Sequence, residues 1–272
     1  MVNWTGLVVP VLVTVAIWFL ATGLVAWLDN RDRSTFPRSL LLGGFGAIAG
    51  LGLVVAGSVS GGITGIYAGF AGALLIWTWH EIAFLTGAVA GPERKPCPAN
   101  SRGLRRFRSA SATVIHHEIA LAATVLLLFA LTWHAPSQIA AHTFALLFGM
   151  RLSTKLNIFH GVPNMSLEIL PPHLSYLKTY FGPARFGWPL AVSLAATATL
   201  TIWLGTRAMA APLASPDAVS ASLLFALAAL GMLEHLMLAT PFRDGALWGW
   251  ALPSRPMTHT GRGLAPCPTK GE

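Results

Sequence analysis

Long apolar runs separated by short polar stretches make up most of the chain. A helix needs about 20 consecutive apolar residues to cross the hydrocarbon core of a bilayer. Runs of this kind predict about seven spans, at residues 8–28, 40–59, 64–86, 113–133, 139–151, 188–206 and 218–238. The pattern therefore predicts an all-α fold, a polytopic transmembrane helical bundle.

Two features of this pattern leave the number of spans open. The fifth run is short for a membrane helix, and we expect it to extend past Arg151 toward Phe159, which places charged residues in its last turns. Only the glycine-rich sequence SGGITG separates the second run from the third, so six spans with a broken hairpin are an alternative to seven.

The first run exceeds the ~7–15 apolar residues of a signal peptide and follows no Lys or Arg, so we expect it to be a span.

The composition excludes an ordinary soluble domain. Hydrophobic residues make up 54% of the 272 residues and charged residues 10%. The mean hydropathy is +0.62. Soluble domains carry about a quarter charged residues. The chain is therefore predicted to be a multi-pass membrane protein.

The basic residues divide unequally between the two sides of the predicted bundle. With seven spans, seventeen of the eighteen Lys and Arg residues lie on one side, and Arg207 alone lies on the other. Cytoplasmic loops of membrane proteins carry the excess of Lys and Arg. The N-terminus is therefore predicted outside and the C-terminus in the cytoplasm. Because the net charge of +8 is spread over four short segments, we expect it to face anionic lipid headgroups rather than nucleic acid.

One membrane domain and a tail are expected. The transmembrane domain covers residues 1–240, with cytoplasmic loops at 91–110 and 152–187. Residues 241–272 are rich in Gly, Pro, Ser and Thr, a composition typical of disorder, and they predict a cytoplasmic, mostly disordered tail.

Glycine pairs in the second and third spans predict close helix packing. Gly46 and Gly50 are four residues apart, and so are Gly65 and Gly69. Small residues at this spacing allow membrane helices to approach each other closely.

The two cysteines, Cys97 and Cys267, each stand between two prolines. Both are assigned to the cytoplasmic side by the charge distribution. Because that compartment is reducing, we expect free thiols rather than a disulfide.

Ionisable side chains inside membrane spans are costly, roughly 2.5–3.5 kcal/mol each on insertion scales, and they mark functional positions. Three acids fall inside the predicted spans, Glu81, Glu118 and Glu234, and each has a histidine beside it, in WTWHEIAF, VIHHEIAL and MLEHLML. The direction of each span places all three in the cytoplasmic half of the membrane. We therefore predict one polar cluster on that side, with these members: His80, Glu81, His116, His117, Glu118, Arg151, Lys155, Asn157, Glu234 and His235.

Three interpretations of this cluster are open. In the first, Arg151 and Lys155 neutralise the glutamates in a structural network. In the second, acids and histidines hold iron, zinc or another metal, for example as a di-iron site. Candidate metal ligands are His80, Glu81, His117, Glu118, Glu234 and His235. In the third, one neutral histidine ligates the magnesium or iron of a tetrapyrrole.

The segment MRLSTKLNIFHGVPNMSLEILPPHLSYLKTYF, residues 150–181, resembles the PuhE family of photosynthetic complex assembly proteins, which are polytopic membrane proteins of photosynthetic purple bacteria. The similarity continues in WHEIAFLTG, GPERKPCP and HHEIA, and it covers most of residues 75–185. It is weaker in the first two spans. Matching positions are His80, Glu81, His117, Glu118, Arg151, Lys155, Asn157 and Asn164, which adds Asn164 to the candidate site.

The resemblance implies a location in a bacterial inner membrane, cytoplasmic or intracytoplasmic. It also implies a role in assembling the photosynthetic reaction centre and light-harvesting complex, or in supplying bacteriochlorophyll. The expected partners are membrane lipid, reaction-centre or light-harvesting subunits, and bacteriochlorophyll or its precursors. The alternative is a metal-dependent membrane enzyme, such as a di-iron protein, that acts on a lipophilic tetrapyrrole-type substrate.

Overall fold

A computed structural model describes residues 4–165, 170–241, 247 and 249–251. Within these residues the chain forms helices and no strand, which confirms the predicted all-α class. A π-helical turn lies at Trp4–Val8, and 3₁₀ turns lie at Arg33–Thr35 and Pro172–Tyr180. The α-helices in chain order are α1 (Val9–Asp29), α2 (Phe36–Ser60), α3 (Ile63–Leu85), α4 (Gly103–Ala112), α5 (Ile115–Thr132), α6 (Ile139–His160), α7 (Trp188–Ala210) and α8 (Pro216–Ala239).

In the part of the chain that the structure describes, six helices are long and apolar enough to cross a membrane, namely α1, α2, α3, α5, α7 and α8. The remaining long helix, α6, has 22 residues, which correspond to a length of about 33 Å. It continues past Arg151 to His160, as the short fifth run predicts. The loop expected at 152–187 therefore begins only at Gly161, because the charged turns of α6 are helical.

A two-residue turn joins α2 to α3. Gly61 ends α2 with a φ of +62°, in the left-handed region that favours glycine, and α3 begins at Ile63. A connection this short makes the two helices antiparallel neighbours. The second and third apolar runs are therefore two separate helices.

Glycines bring α2 and α3 into close contact. A methyl group on Gly50 would lie only 2.7 Å from the carbonyl oxygen of Gly72, so the helices can approach this closely only without a side chain there. Gly65 and Gly69 are also buried at helix contacts. By contrast, no atom lies within 4 Å of a methyl group built on Gly46, so the predicted packing of that residue is wrong.

The buried core lies around α3, which contacts α1, α2, α5, α6 and α8. Val54 of α2, Leu121 of α5 and Phe144 of α6 are completely buried in one cluster beside it. The peripheral helices expose apolar side chains instead; Leu42 is 70% and Leu126 71% exposed. Apolar faces of this extent are typical of a lipid environment rather than water.

Two connections cover the end of the bundle at which α1, α3, α6 and α8 finish; we call it the capped end. One connection comprises residues 86–114 and includes α4, and the other comprises residues 161–187 as far as they are described. Arg106 of α4 joins them, because its guanidinium donates hydrogen bonds to the carbonyls of Phe159 at 3.2 Å and Tyr180 at 2.7 Å. His173 donates from Nε2 to the carbonyl of Leu85 at 2.7 Å.

Two expectations fall wholly or partly on residues that the structure does not describe. The tail predicted at 241–272 lies almost entirely outside the described residues, and so does Cys267. Cys97 is disulfide-bonded, so the expectation of a free thiol is wrong at this position.

Candidate functional site

A partly enclosed cavity of about 650 Å³ lies inside the bundle toward the capped end. Residues of α1, α3, α4, α5, α6 and α8 line it, and most of them are apolar, including Phe70, Trp77 and Phe84. Ligand sites in proteins commonly have volumes of about 300–1,000 Å³, mostly apolar walls and a few polar groups. By size and lining, this cavity is the candidate site of the protein.

Two ion pairs form the polar part of the cavity wall. Arg151 of α6 donates to Oε2 of Glu81 on α3 at 2.9 Å, and Lys155 of α6 donates to Oε1 of Glu118 on α5 at 2.5 Å. Arg151 and Lys155 share one face of α6 because they are four residues apart. The glutamate side chains are only 11% and 13% exposed. Pairing with a cation offsets the desolvation of each carboxylate.

Glu234 of α8 also lines the cavity, and the indole Nε1 of Trp18 on α1 donates to its Oε1 at 3.3 Å. The structure therefore brings five of the predicted site residues to one cavity: Glu81, Glu118, Arg151, Lys155 and Glu234.

The structure adds one acid that sequence reasoning missed. Asp29 is the last residue of α1, lines the cavity and is only 2% exposed. The first apolar run ends at Leu28, so Asp29 reads as part of the polar sequence DNRDR. A signal was present, because Thr14, Trp18 and Thr22 precede Asp29 at spacings of four and seven residues, which predict one face of a helix.

The histidines at the start of α5 and the end of α3 do not line the cavity. Nε2 of His80 lies 3.0 Å from Oγ1 of Thr124. His117 is completely buried, with its ring centroid 4.6 Å from that of Phe84, and neither ring nitrogen has a hydrogen-bond partner among the described residues. The structure places His116 on the exposed face of α5, away from the cluster.

His235 and Asn157 belong to a separate network between α6, α7 and α8. Nδ1 of His235 donates to the carbonyl of Gly231 at 2.8 Å, which leaves Nε2 to accept from the hydroxyl of Ser153 at 2.9 Å. Ser193 lies 3.1 Å from Ser153, and Asn157 donates to Ser193 at 2.8 Å. Neither His235 nor Asn157 lines the cavity, so this network joins helices on the opposite face of α6.

Asn164 lies in the connection that follows α6. Its side-chain amide donates to the carbonyl of Met237 at 2.9 Å, and its backbone N–H donates to Leu238 at 3.0 Å. These bonds attach the connection to the end of α8.

The geometry supports ion pairing better than metal binding. Among the described residues, no group of three His, Cys, Asp or Glu side chains is placed to hold one metal ion. Glu81 and Glu118 each use one oxygen in an ion pair, and no described histidine lines the cavity. A tetrapyrrole in this cavity would therefore find no histidine among those residues to ligate its metal.

Comparison with known proteins connects the chain to proteins without an assigned reaction. A family described as a protein of unknown function, DUF3623, matches residues 4–259. The chain is 35% identical over 250 residues to a protein of Rhodobacter capsulatus described as an uncharacterised 30.4 kDa protein in the puhA 5′ region. The match covers 89% of this chain and 90% of that protein. No solved structure matches the chain.

Proposed function

Because the chain belongs to the DUF3623 family, whose function is unknown, we propose a function from its own cavity and from its puhA-region relative. The protein is a membrane factor for assembly of the photosynthetic reaction centre and light-harvesting complex. It holds a lipophilic molecule, bacteriochlorophyll or a precursor, in the cavity at the capped end. In this proposal α6 is the seventh span, the N-terminus is outside, and the capped end faces the cytoplasm of a bacterial inner membrane.

The cavity is the observation that carries this proposal. Its walls combine apolar side chains from five long helices with two ion pairs, the pattern of a site for a largely apolar ligand. The location of the relative in the puhA 5′ region and the resemblance to the PuhE family support the choice of a photosynthetic pigment or precursor.

The residues of the cavity have distinct roles in this proposal. The pairs Glu81–Arg151 and Glu118–Lys155 hold α3 and α5 against α6 and keep the wall rigid. Phe84 contributes apolar surface beside the Glu118–Lys155 pair, because its ring centroid lies 4.7 Å from Nζ of Lys155. A tetrapyrrole would be held by apolar contact and hydrogen bonds to the wall, without histidine ligation from the described residues.

Deleting the gene of the Rhodobacter capsulatus relative and complementing the strain with this chain tests the proposal. We expect the deletion to lower reaction-centre absorbance in membranes several-fold, without slowing non-photosynthetic growth, and the chain to restore it. Ala21→Phe, which fills the cavity from α1, should insert normally and fail to restore assembly. Ala16→Phe, on the exposed face of α1, is the matched control and should restore it.

Two results would contradict the proposal. One is a deletion strain with pigment spectra equal to those of the parent strain. The other is full restoration by the Ala21→Phe variant at normal abundance. Metal analysis of the purified protein distinguishes the enzyme alternative, because stoichiometric metal that is lost in Glu118→Gln would indicate a metal centre instead.

A further inference from the structure

Asp29 is the feature of the cavity that the proposed function does not use. Its side chain lines the cavity, and both carboxylate oxygens are buried without a hydrogen-bond partner among the described residues. A buried polar group without a partner is unfavourable, and a buried charge without a partner is more so. Such a carboxylate takes up a proton or binds a cationic partner.

The protein supplies no such cation from the described residues. Arg151 and Lys155 are the basic side chains of the cavity wall, and each is already paired with a glutamate. Arg31, which follows Asp29 closely in sequence, is exposed and lies over the ring of Trp27 at 4.5 Å. Among the described residues, Asp29 therefore forms no ion pair with a cation of its own chain.

The charges of the cavity are also unequal. Four acids line it, against two basic residues, among the described part of the chain. Glu81 and Glu118 are neutralised on the wall formed by α3, α5 and α6, whereas Asp29 and Glu234 lie on α1 and α8. Glu234 accepts a hydrogen bond from Trp18, which is a neutral donor. Neither Asp29 nor Glu234 therefore forms an ion pair among the described residues.

We propose that the cavity binds a lipophilic molecule carrying a protonated amine. Its ammonium group donates hydrogen bonds to the carboxylate of Asp29, and its hydrocarbon part lies against the apolar wall formed by residues such as Phe70 and Trp77. Charge-assisted hydrogen bonds of this type are short and strong. This inference goes beyond the proposed function, because bacteriochlorophyll carries no ammonium group and the amine is a second class of ligand for the same cavity.

Binding of dodecylamine to the purified protein tests this inference. The full-length protein is placed in phosphatidylcholine nanodiscs, and binding of radiolabelled dodecylamine is measured after subtraction of empty nanodiscs. We expect Asp29→Asn, which keeps the side-chain shape, to weaken binding about tenfold or more. Asp32→Asn removes the charge of an exposed acid three residues away and should bind the amine like the unmodified protein.

The source of the amine is distinguished by competition. If phosphatidylethanolamine in the nanodisc displaces dodecylamine, the ligand is an amine-bearing membrane lipid. If it does not, the ligand is a free lipophilic amine.

Three outcomes would overturn the inference. They are equal binding of dodecanol and dodecylamine, equal binding of dodecylamine by Asp29→Asn and the unmodified protein, and displacement of the amine by sodium ions alone. These measurements use purified protein and need no pigment. A failure here therefore leaves the assembly role untouched, and a failure of the deletion experiment leaves the ligand class intact.

Discussion

Lys155 on α6 donates a hydrogen bond to Glu118 on α5 at 2.5 Å, and both side chains lie in the wall of the cavity. One helical turn earlier on α6, Arg151 pairs with Glu81 on α3. One helix therefore neutralises an acid on each of two neighbours. This pairing explains how the apolar sequence of α5 accommodates Glu118 near its start, because that side chain faces the bundle interior rather than lipid.

Removal of the Glu118 charge should destabilise the protein. Breaking a fully buried pair by removing one partner lowers the free energy of unfolding by about 3–5 kcal/mol. Because the Lys155 side chain is 21% exposed, we expect a smaller decrease of about 1–3 kcal/mol for Glu118→Gln. The double variant Glu118→Gln with Lys155→Met should be less destabilised than the sum of the single variants. Thermal unfolding in detergent measures all three proteins.

The matched control for this pair is Glu93→Gln, because Glu93 accepts a hydrogen bond from a backbone N–H and lies outside the cavity. It should change stability little. A Glu118→Gln protein with normal abundance, normal stability and normal complex assembly would show that the pair contributes neither to the fold nor to the site.

Arg106→Lys should loosen the capped end. The guanidinium of Arg106 donates to two carbonyls and lies 4.1 Å from the ring centroid of Phe159, and a lysine ammonium cannot reproduce this geometry. We expect faster proteolysis within residues 161–187, with little change in the bundle. Arg108→Lys, at an exposed position on the same helix, is the control, and equal cleavage rates for the two variants would refute the role of Arg106.

The stability of the capped end should decrease in acid because of His173. Burial lowers the pKa of the His173 imidazole, the hydrogen bond to Leu85 opposes this change, and the cation of Arg33 adds to it. Because folding lowers the pKa of this histidine, the unfolded state binds more protons than the folded state at a pH between the two pKa values. Its stabilising contribution is therefore present above about pH 6.5 and is lost as the pH falls through the folded pKa.

Proteolysis of the connections at several pH values measures this effect. His173→Gln should flatten the pH dependence between neutral and acidic conditions. His134→Gln, at an exposed position distant from the capped end, should leave it as it is in the unmodified protein. A pH profile that is the same for all three proteins would exclude His173 as the responsible group.

Gly50→Ala should weaken the contact between α2 and α3. The added methyl group would lie 2.7 Å from the carbonyl oxygen of Gly72. Overpacking of this kind lowers the free energy of unfolding by about 1–3 kcal/mol. Gly46→Ala, one turn away on the same helix, meets no atom within 4 Å and should be neutral or slightly stabilising. Comparable losses of thermal stability in both variants would show that the close approach is not the cause.

Reporter fusions test the predicted orientation and the seventh span. Fusions after Asn30, Ser101 and Gly187 should report the cytoplasm, and a fusion after Pro216 should report the outside. The reason is that seventeen of the eighteen basic residues lie on one side of a seven-span bundle. An external Ser101 fusion would reverse the orientation, whereas an external Gly187 fusion would show that α6 does not cross the membrane.

The apolar pattern was enough to predict the long helices, although α4 lies largely within the loop expected at 91–110. Hydrocarbon provides no hydrogen-bond partners, so a spanning segment with this composition has to satisfy its backbone as a helix. The observed α3, Ile63–Leu85, differs from the predicted run at 64–86 by one residue at each end. Hydropathy describes α6 less well, because Arg151 and Lys155 interrupt its apolar sequence while pairing with acids of neighbouring helices.

The pattern also indicated the chemical character of the site, because ionisable residues inside spans are rare and conspicuous. Which of them share a wall depended on the rotation of each helix about its axis, which follows from the packing of the whole bundle. Adjacent residues diverge by about 100° on a helix, so Glu81 faces the cavity while His80 faces Thr124. For the same reason His116 is exposed although its neighbour His117 is buried. The packing of α1 placed Asp29 in the site, because the end of α1 lies against the cavity rather than in the polar loop that its sequence resembles. In the sequence, only its spacing from Thr14, Trp18 and Thr22 indicated this position.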